Sequence, residues 1–408
     1  MSGHNVTPIP RYRSQPGLAL LSAGFRPFFL LSAIWASLAI PLWVAAFVGL
    51  VPLPATLPPV VWHVHEMVFG YAAATVAGFL LTAIPNWTGR MPLQGGPLAI
   101  LVVLWLAGRA AMLLSSYTGA SAAAALDLAF PLVFLAVVAR EIIAGRNWRN
   151  LPMLAALTFL LGGNALVHLD AVGVADTAAV GNRIGVATLL MLISFVGGRI
   201  IPSFTRNWLV KQRPDVRLPA VFNWVDRVAL VLTAIALAAW VLAPDGVVMP
   251  WVCLAAGVAL CLRLARWRGL ATLREPLLWV LHLGYGWLAV GFLLLGLNAL
   301  VPWLPQTTAL HALTAGAAGC MTLAVMTRTT LGHTGRPLIA GPGTTTVYAL
   351  VTLAAVLRLL APLGGAQYVA LLWLAGMAWS SAFGLFALLY LRPLMFPRIA
   401  REASPRPI

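Results

Sequence analysis

Residues 62–90 read WHVHEMVFGYAAATVAGFLLTAIPNWTGR. The middle of this stretch is a run of apolar and small residues that is long enough to cross a bilayer, which takes about 20 such residues. Two histidines and a glutamate stand at its first end, and the arginine of a Thr-Gly-Arg triplet closes it. The stretch therefore predicts a membrane-spanning helix with ionisable side chains at one end and a basic residue at the other.

The rest of the chain repeats this pattern of long apolar segments separated by short connections rich in Pro, Gly and Asn. Of its 408 residues, 61% are hydrophobic and 9% are charged, whereas about 25% are charged in a soluble protein. This composition excludes a soluble domain, a nucleic-acid-binding protein and a disordered chain. Windows of about 20 residues give twelve candidate spans: 27–50, 62–86, 97–116, 120–142, 151–169, 179–205, 221–243, 247–265, 276–300, 308–331, 344–362 and 366–391.

We therefore predict an all-α integral membrane protein with twelve transmembrane helices. Residues 19–395 are expected to form a single membrane domain, with a polar N-terminal tail at 1–18 and a C-terminal tail at 396–408. The first residues lack both an apolar stretch and a small-residue cleavage site, so they do not resemble a signal peptide. The cysteines form no CxxC pair, which excludes a c-type haem attachment motif.

The formal net charge of +16 reflects the direction of the spans. If the N-terminus is inside, 20 of the 26 lysines and arginines fall on the cytoplasmic face, Arg263 and Arg328 among them, and the outer connections carry none. Under the positive-inside rule this predicts that both termini are cytoplasmic. The basic excess then indicates contact with membrane lipid and gives no support for nucleic acid as a partner.

Six further arginines fall within predicted spans, where a charge is costly unless it faces the bundle interior or an acidic partner. Asp127 and Asp226 are candidate counter-charges, although arginines near helix ends can instead extend to the membrane surface. The six are Arg26, Arg109, Arg183, Arg199, Arg227 and Arg358.

Six of the seven histidines lie in or at predicted spans, and several at one depth favour a metal or haem site over isolated helix contacts. The predicted directions place four of them in an outer layer together with Glu66, and two nearer the cytoplasm. The outer four are His63, His65, His168 and His311, and the inner two are His282 and His333.

The spacing of His63 and His65 leaves two arrangements open. On a helix, residues two apart point about 200° away from each other, so the rings would serve two centres, or one would bind and the other hydrogen-bond. In an extended segment both rings could reach one ion. Glu66 beside them could be a ligand, a proton relay or the hydrogen-bond partner of a ligating imidazole.

An internal repeat connects two of the histidine segments. The interval from His65 to Arg90 equals that from His311 to Arg336, both arginines end a Thr-Gly-Arg triplet, and Gly70 and Gly316 match within the two segments. Residues 201–208, IPSFTRNW, match the end of the first segment more loosely. The pattern favours three pseudo-repeated four-helix units. Three such arcs with inward histidines resemble, distantly, the catalytic subunit of haem–copper oxidases, whose His-Pro-Glu-Val-Tyr segment and His-His pair are missing from this sequence.

Several longer strings resemble a more specific family. RPFFLL (26–31), the opening stretch 62–90, GGRIIPSFTRNWL (197–209), LREPLLWVLHLGYGWL (273–288) and HALTAGAAGCMTLAVMTRTTLGHTGRPL (311–338) look like the NnrS family. The resemblance runs from about residue 20 to 395. It implies a bacterial inner-membrane protein with b-type haem and copper, linked to denitrification and to relief of nitric oxide and nitrosative stress.

The resemblance also implies ligands among the histidines, without saying which bind haem and which bind copper. We expect the outer cluster with Glu66 to hold haem and copper, and the inner pair to complete a second site, with Arg183 and Arg199 as candidate propionate partners. The expected small ligand is nitric oxide or a metal nitrosyl, bound or turned over. No flavin, nicotinamide or iron–sulfur motif identifies an electron donor. A transporter of haem, copper or a small solute is the alternative.

Overall fold

The structure is a computed structural model that describes residues 17–212 and 217–399. Within those ranges it contains helices and no strand. Eleven helices are long and apolar enough to cross a membrane, and Met249–Ala265 is a shorter apolar helix. In chain order, α1 to α12 are Phe25–Phe47, Pro59–Thr88, Gly96–Leu113, Ala120–Ala144, Trp148–Ala171, Ala178–Gln212, Trp224–Leu242, Met249–Ala265, Pro276–Asn298, Gln306–His333, Pro342–Leu363 and Gly365–Met395.

Each predicted span corresponds to one of these helices, so the twelve-helix, all-α prediction is confirmed. Most of the predicted terminal tails lies outside the described residues. Pro59 opens α2, where its missing N–H costs nothing because the first turn of a helix has no partner for that group.

The helices are arranged in chain order around a centre. Each packs against its neighbours in sequence, and α1 packs against α12, which closes the ring. In addition α2, α6 and α10 pack against one another, so every fourth helix contributes to the middle of the bundle. Gly185 of α6 permits this approach, because a Cβ there would lie 2.6 Å from the Phe69 ring of α2.

The same three central helices each contain a π-helical segment, at Glu66–Ala72, Ile193–Gly197 and Ala312–Ala318. Such segments are rare and frequently occur at functional sites. The first and third follow directly after His65 and His311, so they occupy the same place in the predicted repeat. The second is shorter, which agrees with the looser sequence match of α6.

The last turns of α2 and α10 end in the same backbone conformation. Gly89 and Gly335 both have positive φ, 70° and 78°, a conformation that glycine adopts without the steric cost of a Cβ. The Thr-Gly-Arg triplets therefore stop two equivalent helices with a left-handed glycine. These shared features support a repeated helical unit. We call the end of the bundle with His65 and His311 the histidine end, and the end with Gly89 and Gly335 the basic end.

Two arginines at the basic end are buried inside the bundle. Arg26 donates to the carbonyls of Pro393 and Leu394 at the end of α12, at 3.1 and 2.9 Å, so it holds the first helix to the last and does not extend to the membrane surface. Arg263, which the charge pattern had assigned to a cytoplasmic connection, is fully buried in α8 and donates from Nε to Asp226 Oδ1 at 2.9 Å. That assignment was wrong because charge counts do not distinguish a loop arginine from a helical one with an internal acidic partner.

We expect Arg263→Met to destabilise the bundle, by about 3 kcal/mol, since breaking a buried ion pair leaves a charge without its partner. Arg263 also donates to the Tyr285 hydroxyl at 2.9 Å. Arg266→Met is the matched control, because Arg266 binds the same carboxylate from a site 20% exposed. Thermal unfolding of the purified protein in detergent measures both. Equal melting temperatures for the two variants would contradict the assigned role of Arg263.

Candidate functional site

A buried polar network surrounds His65 at the histidine end. His65 is completely buried, and Nδ1 lies 2.9 Å from Glu66 Oε1 while Nε2 lies 2.8 Å from Asn164 Oδ1. Both ring nitrogens therefore face oxygen acceptors. A neutral imidazole carries only one N–H, so this geometry is satisfied by a doubly protonated ring or by a protonated carboxyl group.

Asp127 of α4 is the second centre of the network. Its Oδ2 accepts from Asn164 Nδ2 at 2.7 Å and from His168 Nε2 at 2.9 Å, and it lies 3.2 Å from His65 Nε2. Its Oδ1 accepts from Arg109, which also donates to Glu66 Oε2 at 2.5 Å. The guanidinium of α3 thus bridges two buried carboxylates.

Two glycines leave room for this bridge. A Cβ at Gly70 would lie 2.7 Å from Arg109 Nη1, and one at Gly108 would lie 3.0 Å from Asp127 Oδ1. The Gly70 carbonyl also accepts from the Trp105 indole at 3.0 Å. Backbone and side chains of α2, α3 and α4 therefore meet closely around the charged groups.

The formal charges of this network do not cancel without a further cation. Two carboxylates face one guanidinium, so either a proton on an imidazole or a bound metal ion would restore neutrality in a buried place where net charge is costly. Donor atoms of His65, Asp127 and His168 all lie within 4.8 Å of one another. Among the described residues this is the one group of at least three such side chains that could hold a metal ion. Two imidazoles and a carboxylate suit copper or iron.

The sequence predicted His65, Glu66 and His168 as site residues, but it did not predict Arg109 and Asn164 as members. Asn164 stands four residues before His168, which places both on one face of α5. This four-residue spacing is the sequence feature from which Asn164 could have been predicted as a neighbour of His168. The sequence identifies Arg109 only as one of six intramembrane arginines, and Asp127 as a candidate counter-charge for the set. The structure joins these two residues in an ion pair.

The other two outer histidines form a second group with Arg358. His63, His311 and Arg358 interact electrostatically with one another. The ring of His63 stacks on Trp43, with centroids 4.0 Å apart. Because α2 is helical from Pro59, the helical alternative holds and His63 and His65 serve different surroundings. The predicted outer layer thus divides into a buried charge network and a His63–His311 group.

The His63–His311 group has ring nitrogens available for a ligand. His311 Nδ1 donates to the Thr307 carbonyl at 2.7 Å, which leaves Nε2 as a lone-pair donor, the usual arrangement of a metal-binding histidine. His63 Nδ1 and an Arg358 guanidinium nitrogen are buried without a hydrogen-bond partner in the described ranges. Buried polar atoms nearly always have a hydrogen-bond partner. The unpaired His63 nitrogen therefore fits a metal-ligating imidazole, and the unpaired Arg358 nitrogen fits a partner of an anionic group such as a propionate.

The two inner histidines have separate contacts. His282 Nδ1 donates to the Leu278 carbonyl at 3.0 Å, and its Nε2 lies 3.4 Å from the Thr205 hydroxyl. The ring of His333 lies against Phe25, with centroids 5.6 Å apart. No hydrogen bond or ring contact joins His282 to His333 in the part of the chain that the structure describes, and a second metal site between them stays a prediction.

The two candidate propionate partners differ in their surroundings. The Nε of Arg183, at the start of α6, is buried without a hydrogen-bond partner among the described residues, which suits an anionic ligand group. Arg199 is exposed and lies over the Phe195 ring, 4.1 Å from its centroid. Arg358 was not among the predicted partners, and only its position beside His63 and His311 identifies it.

A comparison with known families identifies the family of the chain. The NnrS family model, described as NnrS protein, matches residues 19–398. The chain belongs to the NnrS family. This match covers every helix and all six intramembrane histidines, and it supports a multi-pass membrane protein associated with the response to nitric oxide. A search of curated proteins finds no significant match.

Proposed function

We propose that this NnrS protein lies in the bacterial inner membrane with both termini cytoplasmic, and that it binds b-type haem and copper at the histidine end. There it would bind or turn over nitric oxide or a metal nitrosyl species. One observation carries the proposal: His63 Nδ1 and a guanidinium nitrogen of Arg358 are buried without a hydrogen-bond partner among the described residues. His311, whose Nδ1 donates to the Thr307 carbonyl, interacts electrostatically with both. Family membership supports the link to nitric oxide.

We assign the two groups of side chains to the two metals. The His63–His311 group, with Arg358 for a propionate, suits haem because imidazole is a common axial ligand of haem iron. The group of His65, Asp127 and His168 suits copper, and a copper ion there would offset the excess negative charge of the two carboxylates. Haem iron or copper would supply the coordination of the small ligand.

The residues around the proposed copper group would orient it and hold protons. Asn164 and Arg109 each donate to one carboxylate oxygen of Asp127, so they would orient this side chain as a ligand. Glu66 Oε1 is hydrogen-bonded to His65 Nδ1, and Arg109 bridges Glu66 to Asp127. This makes Glu66 the proposed proton relay, because it is a carboxylate one hydrogen bond from the imidazole and shielded from water.

Single alanine substitutions of the four outer histidines test the assignment. Haem content is expected to fall in the His63 and His311 variants, and copper content in the His65 and His168 variants, because each loses a ligand of one metal. Purified proteins are compared by visible absorbance and elemental analysis. His4→Ala is the control, since His4 lies in the polar N-terminal stretch. Unchanged occupancy of both metals in all four variants would refute the site.

The transporter alternative makes the opposite prediction for the same purified protein. A stoichiometric haem that is retained through purification supports the proposal. Metal flux in proteoliposomes made from protein without a bound chromophore would instead support transport, with the histidines as transient sites.

A further inference from the structure

A cavity of about 270 Å³ lies near the basic end, away from the histidine-end groups. It is lined by residues of the central helices α2, α6 and α10, of α9, and of the segment that follows α10. Its walls are mostly apolar, with Phe79, Phe204 and Leu281 among them. Three polar side chains of α10, Arg328, Thr329 and His333, also line it, and none of the described residues that line it is acidic.

Arg328 is an arginine within α10 that has no ion-pair partner among the described residues. Its guanidinium lies over the Phe204 ring, 4.0 Å from the centroid. Glu275 and Tyr348 interact with it only at longer range, and no ion pair or hydrogen bond joins Arg328 to another described residue. A charge in a transmembrane helix is costly unless it has a partner or a function. A ligand with an oxygen acceptor, bound in the cavity beside Arg328, would supply the missing partner.

His333 supplies a second hydrogen-bonding group to the same cavity. It follows Arg328 by five residues, about 7.5 Å along the helix. Neither of its ring nitrogens has a hydrogen-bond partner in the described part of the chain, and its ring is held by Phe25. The cavity thus offers one cationic donor and one imidazole, separated along α10 and flanked by aromatic walls.

We propose that this cavity binds the head group of a lipid-soluble quinone or quinol. Such a head group is a flat, largely apolar ring with oxygens on opposite edges. Aromatic walls suit the ring faces. Arg328 would donate to one oxygen, and His333 would donate to or accept from the other according to whether a quinone or a quinol is bound.

The lining favours this ligand over a phospholipid head group. A phosphate has several charged oxygens and is usually held by a cluster of donors, whereas Arg328 is the one cation among the described residues that line this cavity. The exposed residues Gly332 and Leu338 also line it, so the cavity opens to the surface of the bundle. A ligand dissolved in the bilayer could enter there.

This inference goes beyond the proposed function and does not require haem. The sequence motifs do not identify an electron donor. A bound quinol could fill that role because it is a membrane-soluble reductant. Quinone binding and metal occupancy are separate measurements, so either proposal can fail while the other stands.

Equilibrium binding of decylubiquinone to the purified full-length protein tests the proposal. Thr329→Phe places a ring in the cavity, and Arg328→Leu removes the cation; each is expected to lower the affinity at least tenfold, with Arg328→Lys retaining part of it. Thr346→Phe is the matched control because Thr346 lies exposed on α11. Haem content and melting temperature are recorded for the same samples.

Loss of decylubiquinone binding in Thr329→Phe and Arg328→Leu, with haem and melting temperature as in the wild type, would support the site. Three results would overturn it: no binding to the wild type, equal binding to all variants, or loss of haem together with the quinone in Thr329→Phe. Displacement of decylubiquinone by phosphatidylglycerol in nanodiscs, with Arg328→Leu losing the lipid alone, would likewise overturn it in favour of a lipid site. If Thr329→Phe does not fold, the two Arg328 variants decide.

Discussion

Arg109→Met is expected to lose most of the folded protein from the membrane. The guanidinium bridges Glu66 and Asp127, and all three residues are at most 4% exposed. Removing one partner of a buried ion pair typically costs 3–5 kcal/mol. Here two carboxylates lose a partner at once, so the expected cost is at least about 4 kcal/mol.

Neutralising the two carboxylates is expected to rescue the folding of the Arg109→Met protein. Arg109→Met combined with Glu66→Gln and Asp127→Asn removes the unpaired charges, so this triple variant is expected to recover folded, monodisperse protein. Arg140→Met is the control, because Arg140 is 61% exposed and pairs with Glu141 at the surface. Size-exclusion profiles and melting temperatures of Arg109→Met, the triple variant and Arg140→Met measure the loss of folded protein and its recovery. An Arg109→Met protein as stable as Arg140→Met would show that the network does not support the fold.

His311→Ala is expected to abolish stoichiometric haem binding while the bundle stays folded. Loss of a residue that only supports a metal ligand costs 10–100-fold in affinity, so loss of the ligand itself should cost at least about 100-fold. The side chain is partly buried, and among the described residues its one hydrogen bond is from Nδ1 to the Thr307 carbonyl. Its removal therefore breaks no ion pair within the described part of the chain. Haem per protein is measured from the visible spectrum.

Imidazole added to the His311→Ala protein is expected to restore part of the haem absorbance, because it can occupy the space of the missing ring. A merely structural role of His311 would give no such rescue. Asn298→Ala, in α9 outside the proposed group, is a second control alongside His4→Ala. Full haem content in His311→Ala without imidazole would contradict the assignment of His311 as a haem ligand.

The sequence predicted the helices and the placement of four histidines at one end of the bundle. Both follow from position along the chain, since apolar length defines each span and the distribution of arginines defines its direction. It did not predict how those histidines divide, because that depends on which way each ring points around its helix. Pro59 held part of this information: a proline in the first turn indicates that His63 and His65 already lie in a helix.

Contacts between helices distant in sequence were harder to predict. Asp127 was recognised as a counter-charge, but its contacts with Asn164 and His168 depend on how α4 packs against α5. The π-helical segments also change the direction of the side chains that follow them, and apolar periodicity does not reveal such a shift. The position of Arg328 beside a cavity likewise follows from packing alone.

The most direct test of the central claim is the optical and EPR spectrum of the purified wild-type protein, with and without nitric oxide. Haem and copper at the histidine end predict a haem spectrum and a copper signal near one of each per chain, and a haem spectrum that changes on addition of nitric oxide. The change should be lost in His63→Ala and His311→Ala. Protein purified from haem- and copper-supplied cells that shows neither chromophore, or no response to nitric oxide, would contradict the account.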